Sequence, residues 1–216
     1  AFPVLQSVGV LYLETMEVVE EFDFSQLTSV SDQITLQWTH RVKEFNLPNL
    51  RSAGGFRVYY IEDLEVIDLH NLATLGKGGL NIEVCYKLAS LDLSALTSVV
   101  GKYEFKSGVF TDMKSLQALK EVGGDFTFSS MSGITAIDGF SNLTSVGGNF
   151  TLPDMQVAVA FTGFSRLETI GGNMFLSNLN EISAINGLTA LRSVGKQLSL
   201  SGMKKLESFT LLAQLQ

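Results

Sequence analysis

The chain has 216 residues, with 15 Lys+Arg against 22 Asp+Glu and a formal net charge of −7. Hydrophobic residues make up 45% and charged residues 17%, which excludes a disordered or polyanionic chain. A single cysteine excludes a disulfide framework or an intrachain multi-cysteine metal site, and the acidic balance argues against nucleic acid and anionic membranes as partners.

The opening segment, AFPVLQSVGVLYLETMEVVEE, has neither the basic n-region nor the small-residue cleavage site of a signal peptide, and no run of about 18 apolar residues occurs anywhere. The chain is repetitive throughout. A Leu-x-x-Val/Ile element recurs at Leu5, Leu27, Leu50, Leu72, Leu96, Leu119, Leu143, Leu167, Leu191 and Leu215, at spacings of 22 to 24 residues. This predicts about nine coils with a tenth begun, in one solenoid domain over residues 1–216. Because the pattern runs to both ends, the chain is expected to be part of a longer protein. Its apolar ends, Phe2-Pro3-Val4-Leu5 and Leu211-Leu212-Ala213-Gln214-Leu215, are expected to self-associate when uncapped.

Within each copy, the anchor and its Val/Ile lead to a glycine pair and then to apolar–polar–apolar alternation: Phe126-Thr127-Phe128, Phe150-Thr151-Leu152, Met174-Phe175-Leu176, Leu198-Ser199-Leu200. Period 2 after a glycine turn predicts a short strand with one buried face. The remainder steps by three, as in Phe128, Met131, Ile134 and Ile137, and predicts a coil bending around a core. No segment offers a capped amphipathic helix. The expected fold is mainly β: a right-handed leucine-rich-repeat/β-solenoid with little helix. Phe56, Phe105, Phe126 and Phe150 are expected at one position of the first strand, with Phe140 and Phe164 before the next anchor. The pairs Gly54-Gly55, Gly78-Gly79, Gly123-Gly124, Gly147-Gly148 and Gly171-Gly172 are expected at corners of positive φ, not in phosphate-cradling loops, since no G-x-G-x-x-G or G-K-S/T accompanies them.

Segments such as LTSVGGNFTL, FSNLTSVGGNF and GLTALRSVGKQLSLSGMKKLESF resemble the receptor L-domain-like leucine-rich solenoids, and within them the Ecm33/Sps2-like fungal wall proteins and related Bacteroides-type surface proteins. The resemblance covers the whole chain. It departs from ordinary leucine-rich repeats in lacking a regular L-x-x-L-x-L-x-x-N asparagine ladder and a helical half-repeat. It implies an extracellular or cell-surface protein without catalytic activity, often anchored at one end.

Chemistry-bearing residues are sparse. His40 and His70 lie in different coils with no zinc-ligand or histidine–carboxylate spacing and are expected at the surface or rim. Cys85 falls in a row with Met16, Thr39, Ile61, Gly108, Met131, Met155, Leu179 and Met203, which predicts a buried, inert thiol. Glu62, Asp63, Glu65 and Asp68 read as a solvated face. Sequons begin at Asn142 and Asn149. No cofactor is expected, and no metal. The outward row of the first strand is expected to run Tyr12, Thr35, Arg57, Asn81, Glu104, Thr127, Thr151, Phe175, Ser199, with Phe175 exposed. Its neighbour row runs Glu14, Gln37, Tyr59, Glu83, Lys106, Ser129, Pro153, Ser177, Ser201. Aromatics and arginine gather in the N-terminal half, so Tyr12, Trp38, Arg57, Tyr59, Tyr60 and Tyr86 are the candidate ligand-binding residues. The expected function is binding of a protein or glycan at the cell surface. The alternatives are a structural spacer and, more remotely, a β-helix polysaccharide-active enzyme.

Overall fold

The computed structural model describes residues 2 and 4–209; the anchor Leu215 and the apolar segment 211–215 lie outside the described residues. The chain forms a mainly β solenoid of parallel, stacked coils with about eight turns. Nine strands make the long face: Leu11–Glu14, Ser29–Gln37, Ser52–Tyr59, Thr74–Glu83, Tyr103–Gly108, Phe126–Met131, Phe150–Pro153, Met174–Ser177 and Leu198–Ser201. A second column carries the anchor motif, with Ser7–Val8, Ser98–Val99, Glu121–Val122, Ser145–Val146, Thr169–Ile170 and Ser193–Val194. In coils two to four the anchor and face strands fuse into one long strand. The third column is Glu44–Asn46, Val66–Asp68 and Ser90–Asp92, then Ala136–Ile137, Ala160–Phe161, Ala184–Ile185 and Ser208–Phe209. Between these two groups the irregular coil after Leu96 substitutes a 3-10 turn, Lys114–Leu116, the only helical element among the described residues.

The coil-to-coil register equals the sequence period. Tyr12 pairs with Thr35, Thr35 with Arg57, Arg57 with Asn81, and Asn81 with Glu104, and the row continues through Thr127, Thr151 and Phe175 to Ser199. Anchors Leu27, Leu50, Leu72, Leu143, Leu167 and Leu191 are all fully buried, as are Phe128, Met131, Ile134 and Ile137. Burying aromatic rings in such a continuous interior supplies much of the hydrophobic driving force.

Two aromatic stacks run along the rod at the coil pitch. Tyr103, Phe126 and Phe150 stack at 5.2 and 5.1 Å, and Phe140 and Phe164 at 5.3 Å. The two stacks meet edge-to-face, Phe126 on Phe140 at 4.9 Å and Phe150 on Phe164 at 5.0 Å, the arrangement that aromatic quadrupoles favour. Tyr103, not Phe105, takes the Phe126 register; Phe105 pairs with Phe128 one step along. The strand alternates sides, so the two rings of that coil that point inward are two residues apart.

The glycine pairs do not sit at positive φ, apart from Gly79 at 70°. Their cause is proximity. A Cβ on Gly147 would collide with the Gly123 carbonyl, one on Gly171 with the Gly147 carbonyl, and one on Gly195 with the Gly171 carbonyl. Most of the left-handed backbone lies at the other end of the face strand, the buried Phe140 and Phe164, at φ 57° and 62°, being exceptions just before the next anchors. Thr15, Trp38, Tyr60, Val84, Ser107, Ser130, Asp154, Asn178 and Gly202 all have φ between 51° and 73°. There the parallel ladder continues through the corner: Trp38 N–H donates to the Tyr59 carbonyl, Tyr60 N–H to Glu83, and Asp154 N–H to Ser177.

Two substitutions of opposite sign check this packing. Gly147→Ala forces backbone apart and is expected to lose about 1–3 kcal/mol. Tyr103→Phe removes a hydroxyl that is buried without a hydrogen-bond partner and is expected to gain roughly 1 kcal/mol. Urea unfolding curves of both variants measure the two changes.

Candidate functional site

The long face is not uniformly exposed. Thr35, Gln37, Asn81 and Ser129 are buried by taller neighbours, and Phe175 is half-buried where the strand pattern predicts exposure. Among the predicted residues, Tyr12, Trp38, Tyr60 and Tyr86 are exposed aromatics, at 53%, 41%, 38% and 60%. Five of the six belong to one cluster. Trp38 meets Tyr59 edge-on at 6.3 Å, Tyr59 lies 6.2 Å from Tyr60, and the Arg57 guanidinium sits over the Tyr59 ring at 5.3 Å. Tyr12 joins through Gln37, whose Nε2 donates to the Tyr12 hydroxyl and to Glu14 Oε1, each at 2.7 Å. Partial desolvation, then the Glu14 carboxylate, raises the Tyr12 phenol, against the opposite pull of the Arg57 charge. Tyr86 stays apart: it stands two residues beyond the Val84 corner and makes no aromatic contact among the described residues.

His40 is more than a rim residue. It packs edge-on against Tyr60 at 6.0 Å, and its Nδ1 is buried with no partner. A histidine–carboxylate contact also exists where the spacing suggests none, with His70 Nδ1 lying 2.7 Å from Asp68 Oδ1 across a tight turn. The other acids of that group disperse: Asp63 pairs with Lys87 at 2.6 Å, and that ammonium holds the Asp63 carboxyl below its ordinary range. An open groove of about 680 Å³ nearby is lined by both signs of charge: Glu20, Glu21, Arg41, Lys43, Glu44 and Asp63.

Cys85 is fully buried in its interior row, and burial pushes its thiol up to about 12, so it stays neutral. The sequon asparagines are engaged between coils. Asn142 donates to the Gln117 carbonyl at 2.9 Å, and Asn149 Oδ1 accepts from the Asn173 backbone and side chain, each at 2.9 Å. Asn149 belongs to an amide ladder that begins at Asp125 and passes through Asn173 to Gln197. This ladder directly precedes the face strands.

The corner residues carry the most informative strain. A non-glycine residue in the left-handed region is tolerated best as Asn or Asp. The C-terminal coils comply with Asp154, Asn178 and Gly202, and Asn178 donates to Asp154 at 2.7 Å. Coils one to six instead carry Thr15, Trp38, Tyr60, Val84, Ser107 and Ser130 there, and of these Trp38 and Tyr60, at φ 52° and 56°, are the bulky rings. Neither ring is buried, so core packing does not repay the strain. Val84 at 59° is a further outlier, half-buried, which nothing in its surroundings explains.

Beside the aromatic cluster, Glu104 is held by Lys102, Lys106 and the Asn81 amide, the last at 2.7 Å. Burial alone would raise its carboxyl, but the two ammonium groups outweigh burial and bring it down to about 2. No protein-family model matches the chain, and neither the curated proteins nor the solved structures yield a match. The fold class, a parallel β-solenoid, therefore rests on the architecture itself.

Because the folded carboxyl of Glu104 titrates below its ordinary value of 4.5, its contribution is complete above about pH 4.5 and is lost as the pH falls towards about 2. Glu104→Gln is expected to lower stability at pH 7 by on the order of 1–3 kcal/mol, the side chain being only 15% exposed. The gap from the wild type should close across that acid window in urea titrations.

Proposed function

We propose that this chain is a non-catalytic binding module of a cell-surface or extracellular protein, presenting its long sheet face to a protein or glycan ligand. The observation that carries this reading is the exposed aromatic corner, in which Trp38 and Tyr60 occupy left-handed backbone and flank Tyr59, over whose ring Arg57 sits. Strain kept at exposed positions is a mark of function when packing does not need it. Trp, Tyr and Arg are also the residues that dominate recognition energetics. Among the described residues no group of three or more His, Cys, Asp or Glu is arranged to hold a metal ion, and no helix is long and apolar enough to cross a membrane.

The sequence resemblance to receptor L-domain-like solenoids supports the same reading and its extracellular setting. A second reading, a structural spacer, draws on the C-terminal half of the face, where Thr127, Thr151, Ser177, Ser199 and Ser201 form a plain hydroxylic surface.

The double variant Trp38→Asn/Tyr60→Asn separates the two. Asparagine bears left-handed backbone more easily, so the variant is expected to unfold at an equal or higher temperature. On glycan and protein arrays it should lose the wild-type ligand by tenfold or more. A ligand retained by the variant would move the site elsewhere on the rod, and silence from both proteins would favour the spacer.

A further inference from the structure

Resting on the binding-module reading, we infer that the aromatic corner of coils one to three recognises a glycan through a carboxylated pyranose, the sugar's apolar face lying on Trp38 and Tyr60 and its carboxylate on Arg57. Arg57 carries the first part of the argument. It is exposed, it is oriented by the Tyr59 ring at 5.3 Å, and among the described residues it makes no ion pair and no side-chain hydrogen bond. The nearby carboxylates are already engaged: Glu14 accepts from Gln37 at 2.7 Å, and Glu83 accepts from Asn81 at 2.9 Å and lies 3.4 Å from Lys106. A guanidinium pre-oriented on an aromatic ring presents its donor fork to a planar anion, and a carboxylate matches that fork with two parallel hydrogen bonds.

The surroundings of the rings distinguish sugar from protein. A specific protein interface buries on the order of 1,600 Å² around a desolvated apolar centre. Here the rings form one small cluster set in a polar field. Gln37 and Asn81 are buried amides fixed by their own hydrogen bonds, with Thr35 between Tyr12 and Arg57 in the same row. Such a surface offers small apolar steps separated by fixed donors and acceptors, the pattern of a pyranose with its apolar C–H face and hydroxyl rim. Trp38 and Tyr60 are one coil apart, about 4.8 Å along the rod, comparable to the length of one sugar ring.

The test is calorimetric titration of the whole chain with oligo-uronides (galacturonate, glucuronate and mannuronate–guluronate series), with the same oligosaccharides after carboxyl reduction, and with an oligoglutamate peptide. At least one uronide is expected to bind, its reduced form tenfold or more weakly, and the peptide not measurably. Arg57→Gln should erase the preference for acid over reduced sugar while leaving the weaker neutral binding, and Trp38→Asn should abolish both. Uronide binding that ignores Arg57→Gln, peptide binding equal to that of the sugars, or silence from every uronide overturns the inference. If the arrays still return a ligand lost in the Trp38→Asn/Tyr60→Asn variant, the binding-module reading survives that failure. If they return none, both readings fall together.

Discussion

One constraint shapes the whole molecule: each coil lies in register on the next at the parallel-strand spacing of about 4.8 Å, so every residue rests on its own equivalent. A column must therefore tolerate itself. Apolar and aromatic columns do so readily, and the stacked Tyr103, Phe126 and Phe150 gain contact area from the repetition. The column from Asp125 to Gln197 does so because each side-chain oxygen accepts from the backbone N–H of its equivalent in the next coil, and the Asn173 side chain also donates to Asn149. Charged columns that repeat one sign repel, and the face avoids this with Glu83 beside Lys106 and with Glu104 between amide and hydroxyl neighbours, whereas the third column stacks Asp68 on Asp92. Where backbones approach too closely for any side chain, the column is glycine.

The same constraint explains how much of the fold is legible in the sequence. A period of 22 to 24 residues is an alignment of the chain with itself, and in a register-locked stack that alignment is the contact map. The outward row from Tyr12 to Ser199 and the interior row through Cys85 follow from it residue by residue. Equivalence along the chain says nothing, however, about the distance between backbones or about φ. The glycine pairs accordingly suggest a left-handed corner, when their cause is the carbonyl of the previous coil; the actual corner is occupied by residues as different as Trp38, Asp154 and Gly202. The amide ladder is hidden in the sequence because its members are of mixed type, Asp125, Asn149, Asn173 and Gln197, and only hydrogen-bond geometry unites them.

The candidate site is legible in part for the same reason. Tyr12, Arg57 and Tyr59 belong to the face strand, where period 2 decides which side chains point out. Trp38 and Tyr60 come directly after the last strand residue, and their exposure depends on the turn that the left-handed backbone makes. His40 lies beyond that turn, where periodicity carries no information, and its approach to Tyr60 is visible only in three dimensions. Tyr86 shares the His40 position two coils on, but with Glu62 between them it has no ring to meet.

A one-dimensional fold also confines its sites. Each coil touches only its neighbours, so stability is close to a sum of coil and interface terms, and strain at one corner is absorbed locally. The left-handed Trp38 and Tyr60 are flanked by coils whose interior rows, Leu36, Val58 and Ile82, are fully buried and regular. The last three described coils keep Asp154, Asn178 and Gly202 at the corner, while the buried Phe140 and Phe164 hold φ of 57° and 62° inside the paired aromatic stacks, where packing offsets the strain. Left-handed residues other than Asn, Asp and Gly run from Thr15 to Ser130, with Phe140 and Phe164 beyond, and at Trp38 and Tyr60 they coincide with exposed rings beside Arg57, which makes no ion pair among the described residues. In a repetitive scaffold each coil is a control for the others: the same left-handed corner is met by Asp, Asn or Gly in the last three described coils and by other residue types in the first six, where Trp38 and Tyr60 are the bulkiest.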